Sequence, residues 1–166
     1  MRLNTHTLLA LLVGFLGMES AMAIEEPKYE VHTSQAPFEL RHYAPTLIAQ
    51  TLVEGDMDEA SNKGFRLIAD FIFGNNLAAD SEQAAKIAMT APVGIESSKP
   101  SEGAGNQWTV SFVMPAEYTL ASLPKPLDPQ VMIREVPAEK RAVITFSGFY
   151  NEDNQRKMMI AAVQRD

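Results

Sequence analysis

Along residues 38–43 apolar and polar positions alternate. Phe38, Leu40 and His42 fall on one face of a strand, and Glu39, Arg41 and Tyr43 on the other. After a break at Pro45, Thr46 to Val53 is apolar on both faces, as in a covered strand, and Gly55 ends it. The two segments are predicted to pair as a hairpin. The period then changes. Asp56-Met57-Asp58-Glu59 is a capping-box arrangement with extra negative charge in the first turn, where the helix dipole favours it. Met57, Ala60, Phe65, Ile68, Phe71 and Ile72 recur at helical spacing, and Gly74-Asn75-Asn76 supplies a stop. The spacing predicts an amphipathic helix over 57–73 laid on a sheet.

Leu77 to Ala85 is a polar connection. Lys86 to Val93 reads as a strand with Ile87, Met89, Ala91 and Val93 on one face, and Gly94 to Asn106, rich in Gly, Ser, Pro and Glu, as a long hairpin loop. Gln107 to Met114 is a second strand, with Trp108, Val110, Phe112 and Met114 on one side and Pro115 closing it. Pro124, Pro126 and Pro129 mark an irregular crossing. Val131 to Val136 and Lys140 to Phe146 then read as another strand pair. Glu152 and Asp153 open a last helix whose buried stripe is Met158, Met159, Ala162 and Val163. The order predicts an α+β fold of two similar halves, the second ending after its helix.

Composition narrows the class. The 166 residues include no cysteine and carry a net charge of -7. That length suits one domain held by a packed core rather than by disulfides. Clustered Lys and Arg are missing, which argues against nucleic-acid binding. At the N-terminus, Leu8 to Gly17 is an apolar run too short for a bilayer core of about 30 Å. Ala21-Met22-Ala23 follows it as a small-x-small cleavage pattern. Residues 1–23 are therefore expected to be a signal peptide, with the polar break at Glu19-Ser20 favouring this over a buried helix. A single mature domain over 24–166 would be exported to the periplasm, or secreted where no outer membrane exists. It would keep no membrane span after the signal is removed.

Three stretches carry a family resemblance: Phe38-Glu39-Leu40-Arg41-His42-Tyr43-Ala44-Pro45, Lys86-Ile87-Ala88-Met89-Thr90-Ala91-Pro92-Val93 and Trp108-Thr109-Val110-Ser111-Phe112-Val113-Met114-Pro115. With 56–75, 123–128 and Phe146-Ser147-Gly148-Phe149, they resemble the SOUL haem-binding family, as a bacterial exported member, from about Tyr29 onward. The resemblance implies a distorted antiparallel β-barrel of two similar halves, each with a helix on its sheet. Family members continue past the second helix into two more strands. The chain therefore reads as C-terminally truncated, with an open barrel edge for a partner or a second copy to cover.

The resemblance also implies the ligand. Haem of the b type, or another tetrapyrrole, would be held without a covalent link, since no Cys-x-x-Cys-His occurs. His42 is the candidate axial iron ligand, on the face shared with Phe38 and Leu40; a satisfied strand histidine fits the same pattern. His32, the other histidine of the mature chain, reads as a surface residue. Family likeness places the cleft along the first helix, where Phe65 and Ala69 match apolar pocket positions and Lys63 and Arg66 could meet propionates. The plainer alternatives are that Phe65 is ordinary core and the two cations a solvated face. Met89 could offer sulfur from its strand, as could Met114, although such residues more commonly fill core.

These features imply a non-enzymatic carrier, buffer or scavenger of haem outside the cytoplasm. Three other readings stay open. One is a general hydrophobic small-molecule module of the effector-binding type. Another is an enzyme using cleft carboxylates or Tyr43. The third is a truncated product without function. No Ser-His-Asp order, Gly-rich phosphate loop or His-x-x-x-His pattern occurs.

Overall fold

A computed structural model describes residues 24–81, 83–98, 106–145 and 147–148, together with Asp153 and Arg156. The signal-peptide expectation for 1–23 and the stripe of Met158, Met159, Ala162 and Val163 lie outside the described residues.

The first strands are β1 (Tyr29–Gln35), β2 (Phe38–Tyr43) and β3 (Thr46–Glu54), followed by α1 (Met57–Phe73). Then come β4 (Asn76–Leu77), β5 (Val93–Ser98), β6 (Gln107–Val113), β7 (Lys125–Pro126), β8 (Met132–Val136) and β9 (Glu139–Ile144). They form three antiparallel sheets, ordered β1-β2-β9, β5-β6-β3-β8 and β4-β7. The class is α+β, and among the described residues none of these sheets closes into a barrel.

The helix forms where the sequence places it. Asp56 caps it, its Oδ1 accepting from the Glu59 backbone N–H at 2.8 Å. Gly74, at φ 133°, ends it and donates its N–H to the carbonyls of the last turn. The buried stripe is Met57, Ala60, Gly64, Ile68, Phe71 and Ile72. Gly64, not Phe65, holds the central position, because a glycine there lets the helix approach Val110 closely. Ile68, Phe71 and Ile72 pack on Leu47, Ala49, Val110 and Phe112 of the sheet, with Ile87, Met114 and Leu123 completing the core. Burial of each large side chain stabilises the fold by about 1.5–3 kcal/mol.

The strand pairings differ from the hairpins predicted. β2 pairs with β1 and β9, while β3 pairs with β6 and β8, so 38–43 and 46–53 belong to different sheets. β8 and β9 likewise do not pair with each other. Instead β2–β3 and β8–β9 run as one bent antiparallel ribbon. The register that sets Tyr43 against Glu139 and Thr46 against Val136 puts Pro45 opposite Pro137. Neither proline has an N–H for the ladder, so the pairing lapses there and the ribbon turns from one sheet into the other.

Two further expectations change. Lys86 to Pro92 is irregular rather than a strand, and the strand starts at Val93 and continues to Ser98, inside the segment read as loop. Pro92 cannot donate to a ladder, and the preceding chain is held otherwise: Ile87 N–H donates to the Ile72 carbonyl at 3.0 Å, and Thr90 Oγ1 donates to the Val113 carbonyl. Nothing in the sequence pattern marks β1 as a strand. All seven of its residues are exposed, so it lacks the buried alternation that betrays a strand.

Candidate functional site

Along β3 the residues alternate between the two faces of the sheet. Leu47, Ala49, Thr51 and Val53 face α1, so Thr46, Ile48 and Gln50 face the other way, into the concave side of the bent ribbon. Two adjoining cavities lie here, one of about 270 Å³ on this side and one of about 620 Å³ at the end of the sheet, where it also reaches Leu47 and Met114. They share Glu26, Pro27, Ala44, Thr46, Val113, Val136 and Pro137, and so lie side by side along the ribbon's corner, where together they are called the trough. The wide part carries apolar walls from Leu47, Met114, Pro115 and Leu120, with Tyr118 beside them.

The narrow part carries three arginines, Arg41, Arg134 and Arg141, with Glu26, Glu96 and Glu139 beside them. Arg41 on β2 and Arg141 on β9 are directly opposite in register. Like charges so placed repel, and each is offset by the glutamate two residues before it on its own strand. Arg41 Nε donates to Glu39 at 2.8 Å, and Arg141 pairs with Glu139. The Arg41 guanidinium also lies 4.3 Å from the Tyr29 ring centroid and donates to Tyr43 Oη at 3.4 Å. Those bonds, to Tyr43 first and to Glu39, hold Arg41 above the ordinary arginine range, so it stays cationic. Arg134 on β8 completes the set. Its Nε donates to Gln50 Oε1 at 3.1 Å, and it has no ion-pair partner among the described residues.

The residues expected from sequence do not converge on one place. His42 shares a face with Phe38 and Leu40, but its imidazole is exposed, on the side of β2 away from the trough. Phe38 and Leu40 on its face are half-buried, as are Glu39, Arg41 and Tyr43 on the other, and His42 is the one exposed residue of β2. Lys63 and Arg66 are exposed on α1, and Arg66 Nε donates back to the Asn62 carbonyl at 3.2 Å. Residues two apart on a helix do not face each other; Lys63 and Phe65 therefore occupy opposite flanks. Phe65 is 39% exposed with its ring 5.4 Å from Phe112, itself paired with Val93 on β5. Phe65, half-buried Ala69 and exposed Val93 make a shallow apolar flank, and Met89 is 41% exposed in the irregular segment before Val93.

A tetrapyrrole requires an apolar cleft with cations near its carboxylates. The trough meets both conditions, and the α1 flank offers a shallower apolar patch beside Arg66. Among the described residues no group of three or more His, Cys, Asp or Glu is placed to hold a metal ion, and no helix is long and apolar enough to cross a membrane. Sequence reasoning missed the trough. The repeated Glu-x-Arg at 39–41 and 139–141, and the prolines at 45 and 137, were the signals that could have found it.

An α+β scaffold with a part-apolar trough bearing a few convergent polar groups has the form of a small-molecule-binding module. Comparison with known families makes the class specific. Residues 24–164 match the SOUL heme-binding protein family, and the chain belongs to it. This is a family of binding proteins. None of the curated proteins matches the chain.

Proposed function

We propose that this chain binds haem or a related tetrapyrrole without a covalent link, as a carrier, buffer or scavenger outside the cytoplasm. The observation that carries the reading is the extent of the family match, 24–164, which takes in every described strand and helix. The lack of cysteine supports a non-covalent, b-type mode, because thioether attachment needs two thiols. The small-x-small pattern at 21–23 supports export. The distorted barrel of two halves belongs to the same proposal, as does the placement of ligand contacts at His42, Lys63, Phe65, Arg66, Ala69 and Met89.

The test is a haemin titration of the purified chain followed by Soret absorbance, with His42→Ala alongside. A saturable one-to-one shift is expected. A changed Soret maximum in His42→Ala would assign the axial position to that imidazole, and an unchanged one would assign holding to packing alone. Failure of a demonstrably folded chain to give a saturable shift would refute haem binding.

A further inference from the structure

We infer that the narrow cavity on the concave face is a second binding site, for a small uncharged polyhydroxy compound the size of a single sugar ring. The inference goes beyond haem binding and is independent of it, since none of the haem contacts proposed above lines this cavity.

Size sets the first limit. At about 270 Å³ the cavity lies just below the range of pockets that enclose drug-sized ligands, about 300–1,000 Å³, so it suits a small molecule rather than a macrocycle. Its floor is the face of the sheet turned away from α1: Ile48 and Gln50 of β3, Thr109 and Ser111 of β6, and Gly94 and Glu96 of β5. Gly94 leaves room for the Ser111 hydroxyl, because a Cβ on that glycine would stand 2.5 Å from Ser111 Oγ.

Charge sets the second limit. The lining places Arg41, Arg134 and Arg141 against Glu26, Glu96 and Glu139, so its formal charges cancel and it favours neither an anion nor a cation. Hydrogen-bonding capacity does not cancel. Arg134 spends its Nε on Gln50 Oε1, and its two terminal amino groups are unbonded among the described residues. The Glu96 carboxylate and the Thr46 and Ser111 hydroxyls likewise have no hydrogen-bond partner among the described residues. A guanidinium only donates and a carboxylate only accepts, whereas a hydroxyl does both. A ring bearing several hydroxyls therefore satisfies both kinds of group without bringing a charge. Tyr29 and Tyr43, their ring centroids 5.3 Å apart, line the same cavity and offer apolar ring surface to the C–H groups of such a ligand.

The test uses neutral and charged versions of one ring. Glucose, galactose and mannose are titrated into the purified chain at mildly acidic pH beside glucosamine and glucuronate, which add a cation and an anion. Binding is read by saturation-transfer difference NMR. At least one hexose should bind saturably, and more tightly than either charged analogue. Glu96→Ala and Arg134→Ala each remove a charge-assisted contact and should weaken that hexose about tenfold. Both residues are exposed, so their replacement leaves the core intact, and circular dichroism checks the fold. Phe65→Ala, on α1, should leave hexose binding unchanged. A folded chain that saturates with none of the three hexoses would overturn the inference, as would tighter binding of glucosamine or glucuronate. Hexose binding that ignores both Glu96→Ala and Arg134→Ala would overturn the position of the site. A haemin titration of the same samples reports separately on the haem reading.

Discussion

Gly64→Ala tests how the helix is seated on the sheet. In an exposed helix the change would stabilise by about 1 kcal/mol, since glycine is the poorest ordinary helix former. Here the new Cβ would stand 2.5 Å from Val110 Cγ2, 2.6 Å from its Cβ and 3.1 Å from its Cγ1. Carbon atoms in contact prefer about 3.5–4.0 Å, so helix and strand must separate by roughly 1 Å. Val110 cannot swing aside: it is fully buried, β-branched and paired with Thr51 in the middle of its sheet. Overpacking of this kind costs about 1–3 kcal/mol, and three short contacts at once put Gly64→Ala at the upper end. After subtracting the propensity gain, the net loss is about 1–2 kcal/mol. With a urea m-value of about 1–3 kcal/mol/M, the midpoint should fall by roughly 0.5–1 M, read by Trp108 fluorescence.

The cause can be isolated with a second substitution. Val110→Ala removes two of the three crowding atoms, so Gly64→Ala should cost less on that background than on the wild type. Equal costs on the two backgrounds, or a wild-type midpoint that holds or rises, would refute the contact as the reason for the glycine.

Two more predictions concern buried polar groups. Thr51 is fully buried and its Oγ1 has no hydrogen-bond partner among the described residues, so Thr51→Val should raise the urea midpoint by an amount worth about 1 kcal/mol; a lowered midpoint would show that the hydroxyl is bonded after all. Asn76 ties the end of α1 to the following loop: its Nδ2 donates to the Phe71 and Ala85 carbonyls at 2.6 and 2.8 Å, and its Oδ1 accepts from Ala85 N–H at 2.9 Å. Asn76→Ala should cost about 3 kcal/mol and speed hydrogen exchange at the Ala85 amide, and Asn76→Asp, which keeps the acceptor but loses both donors, should not restore it. An unchanged exchange rate would contradict that account.

What the sequence revealed follows from where each signal resides. α1 was legible to the residue because its cap, stripe and stop are all local: Asp56, the apolar positions and Gly74 lie within one segment. Even there, the choice of Gly64 over Phe65 as the buried position depends on Val110, forty-six residues away, and no local period contains it. Partners of strands are less legible still. An alternating segment and a covered one separated by Ala44-Pro45 look like a hairpin, and only the pairing of β3 with β6 and β8 shows that they are not. The candidate site divides in the same way. The residue types on α1 were readable, whereas the trough draws on 25–29, on 41–50, on 90–96, on 109–120 and on 134–141, segments united only by folding.

The opposed prolines explain why the trough exists at all. A straight ribbon over 38–54 and 132–144 would hold β1, β2 and β9 in one plane with β3, β6 and β8. It would set Arg41 and Arg141 on an open surface. With the ladder interrupted at Pro45 and Pro137, the two sheets turn about that point and enclose the residues on the inner side of the bend. The pairing register is kept across the break while the bend resets the face alternation. Arg41 and Tyr43 before it and Thr46 and Ile48 after it line the inner side although 43 and 46 are an odd number of residues apart, so Arg41, Arg134 and Arg141 share that side. A one-residue slip at the bend would keep every strand and turn Arg41 and Arg141, or Arg134, outward. The arginine end of the trough therefore depends on register more than on any single contact, and a pair of opposed prolines, which cannot join the ladder, is what allows the bend without changing that register.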